Sequence, residues 1–407
     1  MNFIEQYLAR AAGLETVVTG QDIRCRVDLV AAHDVTGPMA IQQFEQIGID
    51  RVFDPQKVVM VIDHIFPAAT VQAKAMHWIM KDFAGQYGIT LYDKGEGVIH
   101  QVLAERHRLP PGSILVGADS HTCTAGGYGV IAIPVGSTEL AAAMATGTID
   151  IEVPEVIEVY MTGQLQAYVG GKDIVLSLIK EFGVAGLTDK AVVFTGPGIA
   201  AIALDDRLTI CNMGIEMGAM IACFGGEETA APAVAKTVNL ALETIDIVAA
   251  CPHSPANVQP VSQLTEVAVS QVVVGSCTNG RLSDIEQVVK VLKHRPVHPA
   301  VTMLIIPASK NVLAAMEAAG WCKILRDAGA VVTNPGCGPC FGAHQGLGTE
   351  RDVILATTNR NFPGRMGHRD AQVYLASAAT AAVTAVRGRI TRPGTLALEG
   401  GGCYEQA

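Results

Sequence analysis

Two apolar runs that each break into a glycine-rich turn carrying cysteine constrain this chain more than any other feature. The first leads Val272-Val273-Val274 into Gly275-Ser276-Cys277-Thr278-Asn279. The second leads Ala330-Val331-Val332 into Asn334-Pro335-Gly336-Cys337-Gly338-Pro339-Cys340. A short β-branched run bounded by glycine and proline reads as a buried strand ending in a tight turn. Two such ends side by side would gather three thiols in one place. The cores around them must be aliphatic, because 49% of residues are hydrophobic but only 5% aromatic. Val/Ile/Leu strands covered by Ala-rich helices make an α/β fold.

Three thiolates without a fourth suit an iron–sulfur cluster with one iron left open, since thiolate is the soft ligand such cores take. Cys337-x-x-Cys340 alone fits zinc as well. Zinc wants a fourth ligand. The chain has no second Cys-x-x-Cys, and His344 stands near enough in sequence to serve. A redox dithiol would open a helix, whereas prolines and glycines make a rigid turn here. The residues alone leave cluster and zinc both open.

At 407 residues the chain has room for two or three domains. Composition shifts divide it into 1–152, 153–267 and 268–407, with the polar, proline-rich tract 251–263 as a connector. A net charge of −10 without a long basic run excludes nucleic acid as a partner. No run reaches the roughly 18 to 20 apolar residues of a membrane span. Ten irregularly spaced cysteines do not read as a disulfide framework, so a reducing, cytoplasmic compartment is expected. The N-terminus carries Glu5 inside its apolar stretch and reads as an amphipathic helix rather than a signal peptide.

Three further strand-like runs end in reactive side chains. Residues 58–62 lead into Asp63-His64, residues 113–116 into Gly117 to His121, and residues 353–356 into Asn359 to Arg365. Ligands of open α/β sheets bind beyond the carboxyl ends of strands, so five such ends imply one polar crevice. Helical patterns occupy residues 39–47, 138–146, 230–242, 284–292 and 372–386, and 211–223 reads as a buried helix. Asp119-Ser120-His121 is no hydrolase triad if extended, because neighbouring side chains then point to opposite faces. Asp34 reads as a helix-capping carboxylate.

The cysteine turns combine with Gly117-Ala-Asp-Ser-His-Thr122, Cys211-Asn-Met-Gly-Ile-Glu-Met-Gly218 and Thr358-Asn-Arg-Asn-Phe-Pro-Gly-Arg-Met-Gly367. His33-Asp-Val-Thr-Gly-Pro38, Asp63-His64 and His100-Gln101 complete the set. In this order, over nearly the whole chain, they resemble the aconitase superfamily. The resemblance implies three α/β domains around a cluster-containing crevice, without the family's smaller swivelling domain. It implies a hydro-lyase acting on a small 2-hydroxy di- or tricarboxylate, with a [4Fe–4S] cluster on Cys277, Cys337 and Cys340. Asp63, His64, His100, Asp119 and His121 would be catalytic. His33, Thr36, Ser120, Asn359, Arg360 and Arg365 would bind substrate. Members acting on isopropylmalate, homoaconitate, maleate or citraconate, and 2,3-dimethylmalate share this design. A cluster-bearing regulatory protein without catalysis is the alternative of another class.

Two departures carry weight. The family's strand Glu is replaced by Val193, which cannot accept a proton, so another carboxylate is expected to substitute, the substrate to be unusual or the activity to be low. The family's Gly-Ser-Ser-Arg-like loop, which supplies the base, is missing: Gly275-Ser276, Gly136-Ser137 and Gly112-Ser113 are followed by Cys277, Thr138 and Ile114. A small subunit carrying the swivelling domain and the catalytic serine is therefore the expected partner.

Overall fold

A computed structural model describes residues 1–225 and 233–395. Three parallel-rich sheets follow one another along the chain. The first has five strands in the order Thr90–Tyr92, Val58–Val61, Leu29–His33, Ile114–Gly117, Ile131–Pro134, all parallel. The second has four parallel strands, Ile221–Phe224, Lys190–Thr195, Glu155–Thr162 and Lys236–Ala241. The third has seven, in the order Val258–Pro260, Val248–Ala250, Gln372–Leu375, Val353–Ala356, Gln271–Val274, Thr302–Ile305, Val331–Val332. It is parallel except where Val248–Ala250 pairs. A separate antiparallel pair joins Asp22–Arg26 to Thr148–Glu152.

The continuous apolar runs are explained by burial on both faces. Every residue of Val58–Val61, Ile114–Gly117 and Gln271–Val274 is buried, as strands with helices on either side require. Each fully buried Val or Leu side chain contributes on the order of 1.5–3 kcal/mol. The N-terminal helix Phe3–Ala12 starts on an Asn2 capping box and stops at Gly13. Its apolar face, including Ile4 and Leu8, is buried.

Four expectations are corrected. The helix expected over 230–242 is absent from its described part: 226–232 lie outside the described residues, and Lys236–Ala241 is an edge strand. Residues 211–223 are the end of the helix Leu204–Asn212, a tight turn Met213–Met217 and the strand Ile221–Phe224. Gly218, at φ +88°, breaks the helix there. Residues 372–386 split into the strand Gln372–Leu375 and the helix Ala378–Arg387, which Ser377 caps. The tract 251–263 contains the strand Val258–Pro260, so the third sheet reaches back to Val248.

The first and third sheets meet at their strand ends. Val98 N donates to Ala308 O at 2.9 Å, and Gly97 bridges to Ser309. This contact places the Asp63-His64 loop against the cysteine loops.

Candidate active site

Both cysteine turns close onto Ile306. Gly275 sits at φ +152°, and a Cβ there would stand 2.5 Å from Ile306 Cβ. Gly338 sits at φ +58°, and its Cβ would stand 2.2 Å from Ile306 Cδ1. Only glycine fits so close an approach. Between Gly275 and Cys277, Ser276 is held at φ +91°, a sparsely populated region that the surrounding contacts must impose. The Arg281 guanidinium supplies some of them, donating to Thr278 O at 2.6 Å and Cys277 O at 3.1 Å. The Asp284 carboxylate accepts from Gly280 N, Arg281 N and Asn279 Nδ2. On the other loop, Cys337 N donates to Asp63 O at 3.3 Å.

Cys277, Cys337 and Cys340 are buried, and none is in a disulfide. Burial, reinforced by Cys340, pushes the Cys277 thiol up to about 12. Burial likewise raises Cys337 and Cys340. Three thiols in so dry a place become thiolates only when a cation binds them. A single zinc at about 2.3 Å from each sulfur would draw them to within about 3.8 Å of one another. Among the described residues, the group whose ligand atoms all lie within 4.8 Å is His33, Asp34, Asp63 and His64, with no cysteine in it. Three cysteines line the crevice, fewer than the four ligands a closed zinc site takes. His344, the candidate fourth zinc ligand, turns its Nε2 to Pro67 O at 3.1 Å. The donor set fits a cluster better than zinc.

Three carboxylate–imidazole pairs surround these thiols. His64 Nδ1 lies 2.7 Å from Asp63 Oδ1, and His121 Nε2 lies 3.0 Å from Glu216 Oε1. His100 Nε2 lies 3.2 Å from Asp119 Oδ1, without the alignment of a hydrogen bond. Asp119 also has His33 at 3.3 Å, His121 at 3.4 Å and His64 at 3.5 Å. Burial opposes its charge, but His100, His121 and His33 outweigh burial and hold its carboxyl well below the usual range. Burial also opposes the His64 imidazolium, yet Asp63, Asp119 and Asp34 raise His64 to about 9. His33 stacks on that ring, with centroids 3.9 Å apart. Burial and the His64 charge drop His33 to about 4, so the stacked pair carries its positive charge on His64 at neutral pH.

Asp34 is not a helix cap. It accepts from the amides of Asp63, His64 and Ile65 and from His77 Nε2, so it holds the Asp63-His64 loop in shape. The helix Gly37–Ile47 begins after Thr36, whose hydroxyl donates to Ala118 O at 2.6 Å. Asp119-Ser120-His121 is a turn rather than an extended segment, so the three side chains do meet: Ser120 Oγ lies 3.3 Å from His121 Nδ1. No Asp119–His121–Ser120 relay results, because Asp119 and Ser120 both face the same ring nitrogen of His121, Nδ1.

Arg365 lines the crevice with the cysteines, Asp63, His64, His100, Asp119, His121 and Asn359, and its buried Nε has no partner. Arg360 is instead committed, its Nε donating to Glu216 Oε1 at 2.8 Å. Asn359 donates to Cys277 Sγ at 3.3 Å, and its Oδ1 is 3.6 Å from Cys340 Sγ. Sequence reasoning missed Glu216 and Asn212, although both stand in the quoted motif Cys211 to Gly218. Asn212 Oδ1 accepts from Thr278 Oγ1 at 2.8 Å and from Asn359. Val193 is fully buried in the second sheet, beside Cys223 and Glu158, while Glu216 brings a carboxylate to His121 and Arg360.

The model of the aconitase family (aconitate hydratase) matches residues 9–239 and 231–388. The chain belongs to the aconitase family. A protein of Methanothermobacter thermautotrophicus named probable 3-isopropylmalate dehydratase large subunit is 41% identical, over 97% of this chain and 99% of its own. The 3-isopropylmalate dehydratase large subunit 1 of Methanopyrus kandleri is 42% identical, over 96% and 98%. The crystal structure of Thermococcus kodakaraensis aconitase X in its holo-form superposes with a TM-score of 0.53. It covers 97% of this chain and 94% of that one at 11% identity, a likeness of fold alone. Membership in this family fits the parallel α/β sheets whose strand ends meet at the crevice. Among the described residues no helix is long and apolar enough to cross a membrane.

Proposed function

We propose that this chain is the large subunit of an iron–sulfur hydro-lyase that interconverts 3-isopropylmalate and 2-isopropylmalate in leucine biosynthesis. The observation that carries the reading is the convergence of three unpaired cysteines and three acid–imidazole pairs on one crevice. The names of the relatives support the substrate and the presence of a partner subunit.

Cys277, Cys337 and Cys340 would hold the cluster. When bound, it would supply a Lewis acid that makes hydroxide a better leaving group. The remaining chemistry falls to the chain. His64, kept protonated by Asp63, would give its proton to the departing oxygen. The pairs His100–Asp119 and His121–Glu216 would orient that oxygen, and His64 would take the proton back in the hydration direction. The unpartnered Arg365 Nε would bind a substrate carboxylate, for which a planar guanidinium is suited. Arg360, held by Glu216, would keep His121 in place and offer its outer nitrogens to the same anion. His33, Thr36 and Ser120 would shape the pocket wall. The base on the opposite face would come from the small subunit.

The test is to co-purify the chain anaerobically with its small subunit and follow olefin formation on a panel of 2-hydroxy acids. Turnover of isopropylmalate well above 2,3-dimethylmalate and the hydrates of homoaconitate, maleate and citraconate is expected. Preference for another acid would move the assignment within the family, and no turnover of any would leave a regulatory protein.

A further inference from the structure

Lys172 is fully buried, and the acid–base pairs of the crevice do not use it. It stands at the start of the helix Gly171–Phe182, beside the second sheet, yet its ammonium reaches into the third. Nζ donates to Thr357 O and Thr358 O, both at 2.8 Å, and lies 3.4 Å from Met213 Sδ. Burying an ammonium is costly when no partner compensates it. Burial pulls Lys172 down to about 7, and nearby Asp284, Cys277 and Cys340 pull the other way. A site that tolerates this cost is a site where the charge or its hydrogen bonds are needed.

The atoms it grips show what for. Thr357 and Thr358 continue the strand Val353–Ala356, and the next residue is Asn359. Thr357 Oγ1 accepts from Gly275 N at 3.0 Å, two residues before Cys277. Asn359 Nδ2 is the donor to Cys277 Sγ, and Asn359 Oδ1 meets Cys340 Sγ. Two carbonyls turned toward one ammonium fix the peptide planes on which Asn359 is carried. If that grip is lost, Asn359 can swing away from both sulfurs.

We propose that Lys172 is the positioning residue of the cysteine cradle. Through Thr357 and Thr358 it holds Asn359 against the sulfurs of Cys277 and Cys340, and it fixes a positive charge near them. The proposal rests on those cysteines holding an iron–sulfur cluster. Hydrogen bonds to the sulfurs and nearby positive charge both favour the reduced cluster, and groups behind the ligands govern how firmly metal is kept. A lysine that only stapled two domains would alter stability and leave the potential alone.

The test compares the full-length chain with Lys172→Met and Lys172→Gln, each reconstituted anaerobically to equal iron and sulfide. The readouts are the reduction potential of the cluster and the rate of iron release to a chelator. Lys172→Met should shift the potential to a more negative value and release iron about tenfold faster or more. Lys172→Gln keeps a donor without the charge and should fall between. Unchanged potential and iron release in Lys172→Met, with the unsubstituted chain holding a cluster, overturn the role of Lys172 alone. If the unsubstituted chain holds no cluster, the reading of the cysteines fails and the proposal with it. Where Lys172→Met does not fold, Lys172→Gln decides on the same two readouts, and values equal to the unsubstituted chain overturn it.

Discussion

Glu216 shows how one side chain couples two parts of the crevice. One carboxylate oxygen serves both His121 and Arg360. Burial disfavours its charge, but His121 and Arg360 outweigh burial and keep it ionised. Glu216→Gln keeps the shape and removes the charge, so both partners lose their anchor. The rate of the complex should fall about 100-fold or more, the range for removing an acid–base contribution. Iron content should stay near that of the parent, and steady-state kinetics beside iron analysis check this. The cysteines divide just as sharply. Serine at Cys277, Cys337 or Cys340 should lower bound iron, while serine at Cys25, Cys123, Cys211, Cys223, Cys251 or Cys322 should leave it near the parent value. Cys403 carries the same expectation from sequence but lies outside the described residues. Iron loss in a folded Cys123→Ser protein would count against the ligand set.

The turns after the strands are fixed by close approach, so they break before the strands do. Gly275→Ala would force a Cβ within 2.6 Å of the Ile306 carbonyl oxygen, which is backbone and cannot swing aside. Overpacking of this kind costs about 1–3 kcal/mol, and the left-handed backbone at Gly275 adds strain. A lower unfolding midpoint by calorimetry, together with weaker cluster retention, is the expected outcome. The helix Gly171–Phe182 gives a pH dependence. Burial raises Asp173, inside its first turn, to about 7, against the hydrogen bonds from Val248 N and Gly170 N. Its unfolded value is near 3.9. Between these the folded state holds the extra proton, so this group stabilises the fold fully below pH ~4. That contribution is lost as pH rises through 7. Asp173→Asn should remove the slope, so denaturation midpoints from pH 4.5 to 7.5 should diverge from the parent's most at the high-pH end, where the parent must carry the buried charge.

On the scale of the whole molecule, the crevice is built from strand ends of two sheets, with one wall contributed by the turn Met213–Met217. The chain has acids, imidazoles and arginine there, but no Gly-Ser-Ser-Arg-like loop to face them. The isolated chain should therefore hold iron and turn nothing over, and adding the small subunit should restore dehydration. Robust turnover by the chain alone would sink the two-subunit reading and send the search for a base to Ser120, His100 and His121.

What could be read directly from the residues was local. Apolar runs such as residues 353–356 ending in glycine or asparagine mark buried strands, because only strands covered on both faces tolerate unbroken aliphatic stretches. The cysteines, Asp63-His64 and Asp119-His121 sit right after such runs, so their gathering was legible. Periodicity failed where small or alternating residues suit either state: residues 211–223 and 372–386 read as helices until Gly218 and the sheet partner Val353–Ala356 cut them. Pairing across the fold was not legible at all. That His121 takes Glu216, that Asp119 stands among four imidazoles, and that Lys172 reaches two carbonyls of another sheet depend on residues far apart in the chain. Local sequence sets which side chains stand at strand ends, but only packing between sheets decides which of them meet.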